Sequence, residues 1–507
     1  MICQFQLAPG ARVTTLRATL RLLAGHEGSA PQRLERLYLD SFDRRLTAAG
    51  WVLEADRSDT GETSLRLRHC RAEDYEPMQC DPPLPRTAAD CSRPRLRSRL
   101  ARLLEGRALL VESLGQLRVE QFDCLDPQGK LVAVVRLEQP TQGRRPPVLR
   151  VQAVTGFAPA SRRIVRALRA SGLVLPLRVD CADHLRQQLG LAVPAYAAKP
   201  VVRLRAGSGA ARALARLLTA YTATLRANEA GIISDWDSEF LHDYRVALRS
   251  IRSWLGELKS CLEAGARAEV KASLAHLNRM TGALRDLDVL CASLPAYLTA
   301  DDGAAAGRLA AQVSAARASA RQDLIDYLQS DSYVVAMRRW SDFLTALAQG
   351  EYAGRRGRQR VDEVLGRALA KRRASILAFD ADKAREDATV MHELRKECKK
   401  LRYLLEGFQC LFDPEVRDRA VLELKTLQTA TGEIQDLHVH LGLLTQLAQA
   451  APDRDDEPAA VAGLLQRLHG RLRTLEVAQL ARVTTALARF GSRRVQRIFD
   501  RLQEKPA

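Results

Sequence analysis

The chain has 507 residues, 46% of them hydrophobic and 27% charged, with a formal net charge of +18. Such a length suggests about two to four domains with full cores, and the positive balance favours phosphate-rich partners without choosing among nucleic acid, polyphosphate and an anionic membrane surface. No run of 18 or more apolar residues occurs, so no transmembrane helix is expected, and the ten cysteines contain no C-x-x-C pair, which argues against a disulfide scaffold or a zinc site.

The opening Met1-Ile2-Cys3-Gln4-Phe5 lacks the basic-then-apolar layout of a signal peptide, so the expected location is cytoplasmic. Residues 1–193 read as an α+β domain. Segments 12–24 and 160–171 have helical spacing, and Leu65–Arg68, Leu131–Leu137 and Val148–Val154 have strand character. The stretch 77–94, with Pro77, Pro82, Pro83, Pro85 and Pro94, reads as a loop. Pro194 and Pro200 bracket a linker. From Gly207 onward the chain is rich in Ala, Leu and Arg, with apolar residues three and four apart, the pattern of amphipathic helices. Gly350, Gly354 and Gly357 divide this region, and a further loop is expected at 451–458.

The helical region repeats itself at an offset of 150 residues (392 − 242 = 150). His242, Arg245, Arg249 and Arg252 recur as His392, Arg395, Lys399 and Arg402, and Leu274, Leu277, Thr281, Gly282 and Asp286 recur as Leu424, Leu427, Thr431, Gly432 and Asp436. An ungapped match over this span implies two related helical units of about four helices each. At about 100° per residue, positions i, i+3, i+7 and i+10 fall within roughly an 80° arc, so each copy lays one imidazole and three cations along about 15 Å of a single face. Like charges so aligned repel, and a solvated face intersperses acids at i+4; Asp243, Glu393 and Glu397 lie off the row. Two such rows facing one groove would make a two-sided track for phosphoryl oxygens. Gly282 and Gly432 are expected to allow close packing of helices, and Asp286 and Asp436 to orient a row arginine or histidine by a salt bridge.

The pattern His242-x-x-Arg245-Val246-x-x-Arg249-x-x-Arg252, followed by Leu284-Arg285-Asp286-Leu287-Asp288-Val289, resembles the CHAD domain, the conserved histidine α-helical domain. So does His392-x-x-Arg395-x-x-x-Lys399-x-Leu401-Arg402-Tyr403. The resemblance covers 209–505 and implies an all-α domain of two four-helix-bundle repeats, 209–349 and 358–505, that binds inorganic polyphosphate in a basic cavity and associates with polyphosphate granules. It carries the binding role onto His242, Arg245, Arg249, Arg252, His392, Arg395, Lys399 and Arg402, with Arg279, Arg285 and Lys425 as weaker members; Lys396 is added as a neighbour of the second row. The N-terminal region is similar to a CYTH domain, the triphosphate-tunnel fold, through Tyr38-Leu39-Asp40 and Leu46-x-x-x-Gly50-x-x-Leu53. It departs from that family where carboxylates matter. Cys3-Gln4-Phe5-Gln6-Leu7 stands in place of the opening E-x-E-x-K, and Arg150-Val151-Gln152 in place of a late E-x-E strand. A tunnel without those acids lacks the ligands for the divalent metals of triphosphate hydrolysis, so a degenerate domain is expected.

The expected function is polyphosphate binding without catalysis, cofactor or metal. One alternative is a metal-dependent triphosphate or polyphosphate hydrolase, for which Glu239-x-x-His242, His242-Asp243 and Asp436-Leu437-His438-Val439-His440 are the candidate ligand sets. The other is nucleic-acid binding, which charge permits but which the 5% aromatic content and the lack of aromatics within either row disfavour.

Overall fold

The computed structural model describes residues 2–25, 27–69, 75–80, 83–141, 146–177, 196–298, 303–380, 388–430, 432–450 and 457–502. The chain divides into two compact units, Met1–Tyr196 and Ala197–Ala507.

The first unit is one antiparallel sheet of nine strands: β1 (Ile2–Leu7), β2 (Gln32–Asp40), β3 (Trp51–Ser58), β4 (Thr63–His69), β5 (Tyr75–Cys80), β6 (Leu110–Leu125), β7 (Leu131–Pro140), β8 (Val148–Ala153) and β9 (Val174–Pro176), in the order β5-β4-β3-β2-β6-β7-β8-β1-β9. Four helices accompany it: α1 (Val13–Ala24), the single turn α2 (Arg45–Ala48), α3 (Pro94–Leu104) and α4 (Ala158–Ala170). Successive side chains of a strand point to opposite faces. On β3 and β4, Leu53, Ala55, Leu65 and Leu67 face Leu96, Leu100 and Leu104 of α3, and on β7 and β8, Val135, Leu137, Leu149 and Val151 face Leu16 and Leu20 of α1 and Leu168 of α4. The intervening residues carry charge on the other face. The region expected to be a loop at 77–94 is a correction: residues 75–80 form the edge strand β5, where Pro77 is tolerated because an edge residue can leave its missing N–H unpaired, and α3 starts at Pro94. The Tyr38-Leu39-Asp40 strand end and its turn are built by Asp40. Its carboxylate accepts from the N–H groups of Ser41, Leu46 and Thr47 and from the Thr47 hydroxyl.

The second unit is helical. Before the glycine break come α5 (Ala210–Ile233), α6 (Ser238–Glu257), α7 (Ala264–Ser293), α8 (Gly303–Leu328) and α9 (Asp331–Gln349). After it come α10 (Val361–Leu377), α11 (Ala388–Gly407), α12 (Pro414–Ala430), α13 (Gly432–Ala450), α14 (Glu457–Gly491) and α15 (Arg493–Arg501). The described residues thus hold five helices in the first half and six in the second, more than the four apiece expected. The 150-residue offset holds for the ends of α6 and α11 (407 − 257 = 150), for the starts of the 3-10 turns Lys259–Cys261 and Gln409–Leu411 (409 − 259 = 150), and for the starts of α7 and α12 (414 − 264 = 150). Caps fix helix starts. Asp237 accepts from the N–H groups of Glu239 and Phe240 at the head of α6, and Asp413 from Val416 at the head of α12. Gly350, in the left-handed region at φ 99°, ends α9. Residues 451–456 of the expected third loop lie outside the described residues, and α14 already begins at Glu457. Among the described residues no helix is long and apolar enough to cross a membrane.

Two contacts between the helical halves bear on the site. At one, Trp254 of α6 packs edge-on against Tyr221 and Phe408, and its indole N–H donates to the Tyr403 carbonyl at 3.0 Å. Gly407 allows this approach, because a Cβ there would collide with the Trp254 ring. At the other, Leu290, Leu294, Leu309 and Val313 of the first half share a core with Leu437, Leu441, Leu444, Leu464, Leu468 and Leu472 of the second.

Candidate functional site

Helices α6 and α11 carry the two cation rows, and the rows converge. Arg249 of the first row repels the charges of Arg395 and Lys399 in the second, and Arg245 and Arg395 both lie near Tyr403. Arg285 of α7 joins from the side, near His242 and Arg245. The site therefore gathers His242, Arg245, Arg249, Arg285, Arg395, Lys399 and Arg402, all half-buried. Backbone and amide groups hold the guanidinium groups in place. Arg249 donates to the Arg245 carbonyl at 3.3 Å, Arg395 to the Gln428 carbonyl at 3.2 Å, Arg402 to the Gln428 side chain at 2.5 Å, and Arg285 to the Ser238 carbonyl at 3.4 Å. A Cβ at Gly282 would sit 3.0 Å from Nη1 of Arg245, so the glycine makes room for a guanidinium rather than for a helix backbone. The surroundings of Gly432 lie outside the described residues.

Charge pairing is what sets this cluster apart. Among the described residues, none of Arg245, Arg249, Arg285, Arg395 and Lys399 has a carboxylate within 4 Å. Asp286 and Asp436 face the cluster and each other at longer range, so the expected salt bridges from them to the rows do not form. Buried N–H groups on Arg245, Arg252, Arg395 and Arg402 have no acceptor. Burial and mutual repulsion therefore oppose protonation. Arg245 is pushed down to about 10, and Lys399 to about 8, by burial first and then by the charges of Arg395, Arg249 and Arg402. His242 is lowered by burial foremost, with Glu239 acting against it.

Lys399 gives the site a measurable pH signature. It is protonated below about pH 8 and loses charge above it, so polyanion affinity is expected to fall between about pH 7 and about pH 9. K399R should flatten that dependence. The unliganded fold should respond with the opposite sign. An unfolded lysine keeps its proton to about 10.4, so over the same rise the unfolded chain binds more protons and native stability increases. Titrations and melting curves across this range measure both slopes.

Five of the residues expected in the site stand apart from it. Arg252 ends its row half-buried, with no charged neighbour contributing to its lowered pKa. Arg279 is exposed, with Nη2 3.4 Å from Nδ1 of His276, a ring that packs on Tyr327. His392 is exposed in the first turns of α11, beside Glu393. Lys396 pairs with Glu393 at 2.7 Å on the outer face. Lys425 is exposed on α12. In their place the structure brings in Gln428 and Tyr403. Gln428 had a sequence signal, since Asn278 is an amide at the same offset (428 − 278 = 150); Tyr403 falls opposite Ser253 and is marked in the sequence only as the last residue of the second motif. Of the candidate metal sets, His440 is taken by Tyr297, whose hydroxyl lies 2.7 Å from its Nδ1. Among the described residues no three His, Cys, Asp or Glu side chains are grouped as a metal would require.

The sheet unit also has a charged interior, and there Arg36, Arg66, Arg68 and Arg150 each meet a carboxylate. Arg36 binds Asp56 and Glu138, each at 2.6 Å; Arg66 binds Asp56 at 2.5 Å; Arg68 and Arg150 bind Glu54 at 2.5 and 2.8 Å. All seven are buried. Glu54 stands on β3 and Arg150 on β8, four places apart in the sheet. Flat strands about 4.8 Å apart would separate them by roughly 19 Å, so their contact requires the sheet to curl until its inner face closes on itself. Its acids come from β3 and β7 rather than from the opening strand, where Gln4 stands opposite Arg150.

The CHAD-domain family model matches residues 216–445. The helical unit carries a CHAD domain. Both cation rows, Arg285 and Gln428 fall inside the CHAD segment. A comparison with curated proteins finds no match. Among solved structures, the CHAD domain of the plant Ricinus communis is 24% identical, covering 57% of this chain and 95% of that one at a TM-score of 0.48. PptA from Streptomyces chartreusis is 19% identical over 56% of this chain and 99% of that one, at 0.42. HpAC1 from Hippeastrum, titled a putative adenylyl cyclase with a dominant triphosphatase activity, is 11% identical over 37% of this chain and 95% of that one, at 0.29.

Proposed function

We propose that this protein binds inorganic polyphosphate in the CHAD cleft, without hydrolysing it, and that this binding places it on polyphosphate granules. The observation that carries the reading is that five half-buried cations from both halves, Arg245, Arg249, Arg285, Arg395 and Lys399, have no carboxylate within salt-bridge distance among the described residues. Unpaired buried charges destabilise a fold, and a bound polyanion supplies the missing counter-charge. Guanidinium forks suit phosphoryl oxygens better than any neutral ligand. The converging rows suit an extended chain of phosphates that touches α6 and α11 together.

Nucleic acid is the second reading on charge alone. Tyr403, the aromatic among these cations, is buried under Arg402, whose guanidinium carbon lies 5.7 Å from the ring centroid, so it offers no open face for base stacking. Titration with polyphosphate, duplex DNA and RNA at equal phosphate concentration and two salt concentrations tests the choice. Polyphosphate should bind tightest and weaken with salt through counterion release; displacement by DNA or RNA at equal phosphate would favour the other reading. Phosphate release from tripolyphosphate with magnesium or manganese would argue for a hydrolase.

A further inference from the structure

A second group of unpaired arginines lies beyond the cleft. Arg203, Arg205, Arg212 and Arg216 line an open cavity of about 760 Å³ beside the start of α5. All four are exposed, and among the described residues none has a carboxylate within 4 Å. Other exposed arginines of this chain do find acids: Arg57 pairs with Glu35, Arg360 with Asp362 and Arg489 with Glu423. The end of α5 is not the attraction, because the N–H groups of Ala210 and Ala211 already donate to the carbonyls of Gln359 and Gly357. The guanidinium groups are.

The chain path connects this cavity to the cleft. Glu406 stands four residues after Arg402, on the same face of α11, and Nζ of Lys199 sits 2.9 Å from its carboxylate. That pair offsets the charge of Glu406, which also lies 3.7 Å from Nε of Arg402. Just beyond, the N–H of Leu204 donates to Sγ of Cys410 at 3.2 Å, which lays the segment bearing Arg203 and Arg205 alongside the end of α11. From Arg402 to Gly407, where α11 ends, is about 7.5 Å at 1.5 Å per residue.

We infer that Arg203, Arg205, Arg212 and Arg216 form a second anion subsite, which takes the part of a polyphosphate chain that emerges past Arg402 and Lys199. The inference rests on the cleft being the primary polyphosphate site, and it makes the protein selective for long chains. The full-length protein is titrated with tripolyphosphate and with long-chain polyphosphate, as wild type and as R203A/R205A/R212A/R216A. The variant should bind long chains at least about tenfold more weakly and lose about 3 from the slope of log affinity against log salt, as four lost phosphate contacts require. Its tripolyphosphate affinity should stay at the wild-type value, and the corresponding four-lysine variant should retain most of the long-chain affinity. Equal loss for short and long chains, or no loss for either, overturns the subsite while leaving the cleft intact. Wild-type protein that binds neither ligand overturns the cleft reading and the subsite with it.

Discussion

Replacing Arg245, Arg249, Arg395 and Lys399 together by alanine is expected to abolish polyphosphate binding while leaving the fold at least as stable as the wild type. Hydrogen bonds to charged groups contribute about 1.5–3 kcal/mol each. Four of them amount to at least about 6 kcal/mol, a loss on the order of ten-thousandfold in affinity. The stability effect runs the other way because these cations have no acid within salt-bridge distance among the described residues. Burial already pushes Arg245 and Lys399 toward losing their protons, and Arg249 repels Arg395 and Lys399 across the cleft. Removing them relieves desolvation and repulsion and gives up only the weak bonds to backbone carbonyls. Binding titrations and thermal melts on the same samples separate the two effects. Affinity within tenfold of the wild type would remove the cleft from the argument. A collapsed melting temperature would mean that the cations hold the helices together rather than wait for a ligand.

The rows were legible because a helix writes its faces into the sequence at fixed spacing, and a second copy at 150 residues repeats the same phase. Phase alone cannot report depth. His392 shares the phase of His242, yet it is exposed, whereas His242 is half-buried beside Arg249 and Arg285. Lys396 follows Arg395 by one residue, a turn of about 100°, which points it outward to Glu393. The convergence of α6 with α11 depends on Trp254 meeting Gly407 and Tyr403 across about 150 residues of chain, and no local pattern encodes that contact. The sheet hid more. Leu65-Arg66-Leu67-Arg68 has the alternation of a strand with one buried and one solvated face. Closure of the sheet buries both faces, and the acids that make this tolerable, Glu54 and Asp56, lie on a neighbouring strand while Glu138 lies some seventy residues further along.

Glu54→Gln is expected to destabilise the sheet unit by about 3–5 kcal/mol, the magnitude that follows when one partner of a buried ion network is removed. Glu54 is fully buried, accepts from Arg68 and Arg150, and lies 3.7 Å from Nε of Arg36. An amide in its place leaves Arg36, Arg66, Arg68 and Arg150 facing only Asp56 and Glu138. A domain with typical stability of about 5–15 kcal/mol would keep its fold but open far more often. Hydrogen exchange followed by mass spectrometry should show lost protection in β3, β4 and β8, with α6 and α11 unchanged. The same network makes the wild-type unit acid-sensitive in a defined direction. Neighbouring arginines hold the carboxyls of Glu54 and Asp56 below their usual range against the opposing effect of burial. Their contribution is therefore fully present above about pH 4.3, the unfolded value for glutamate, and is lost as pH falls through the lower folded values. In Glu54→Gln that acid dependence should be shallower, because one of the titrating carboxylates is gone. Unaltered protection at neutral pH would mean that closure of the sheet rests on its two leucine-lined outer faces, and that the buried charges merely occupy the interior those faces create.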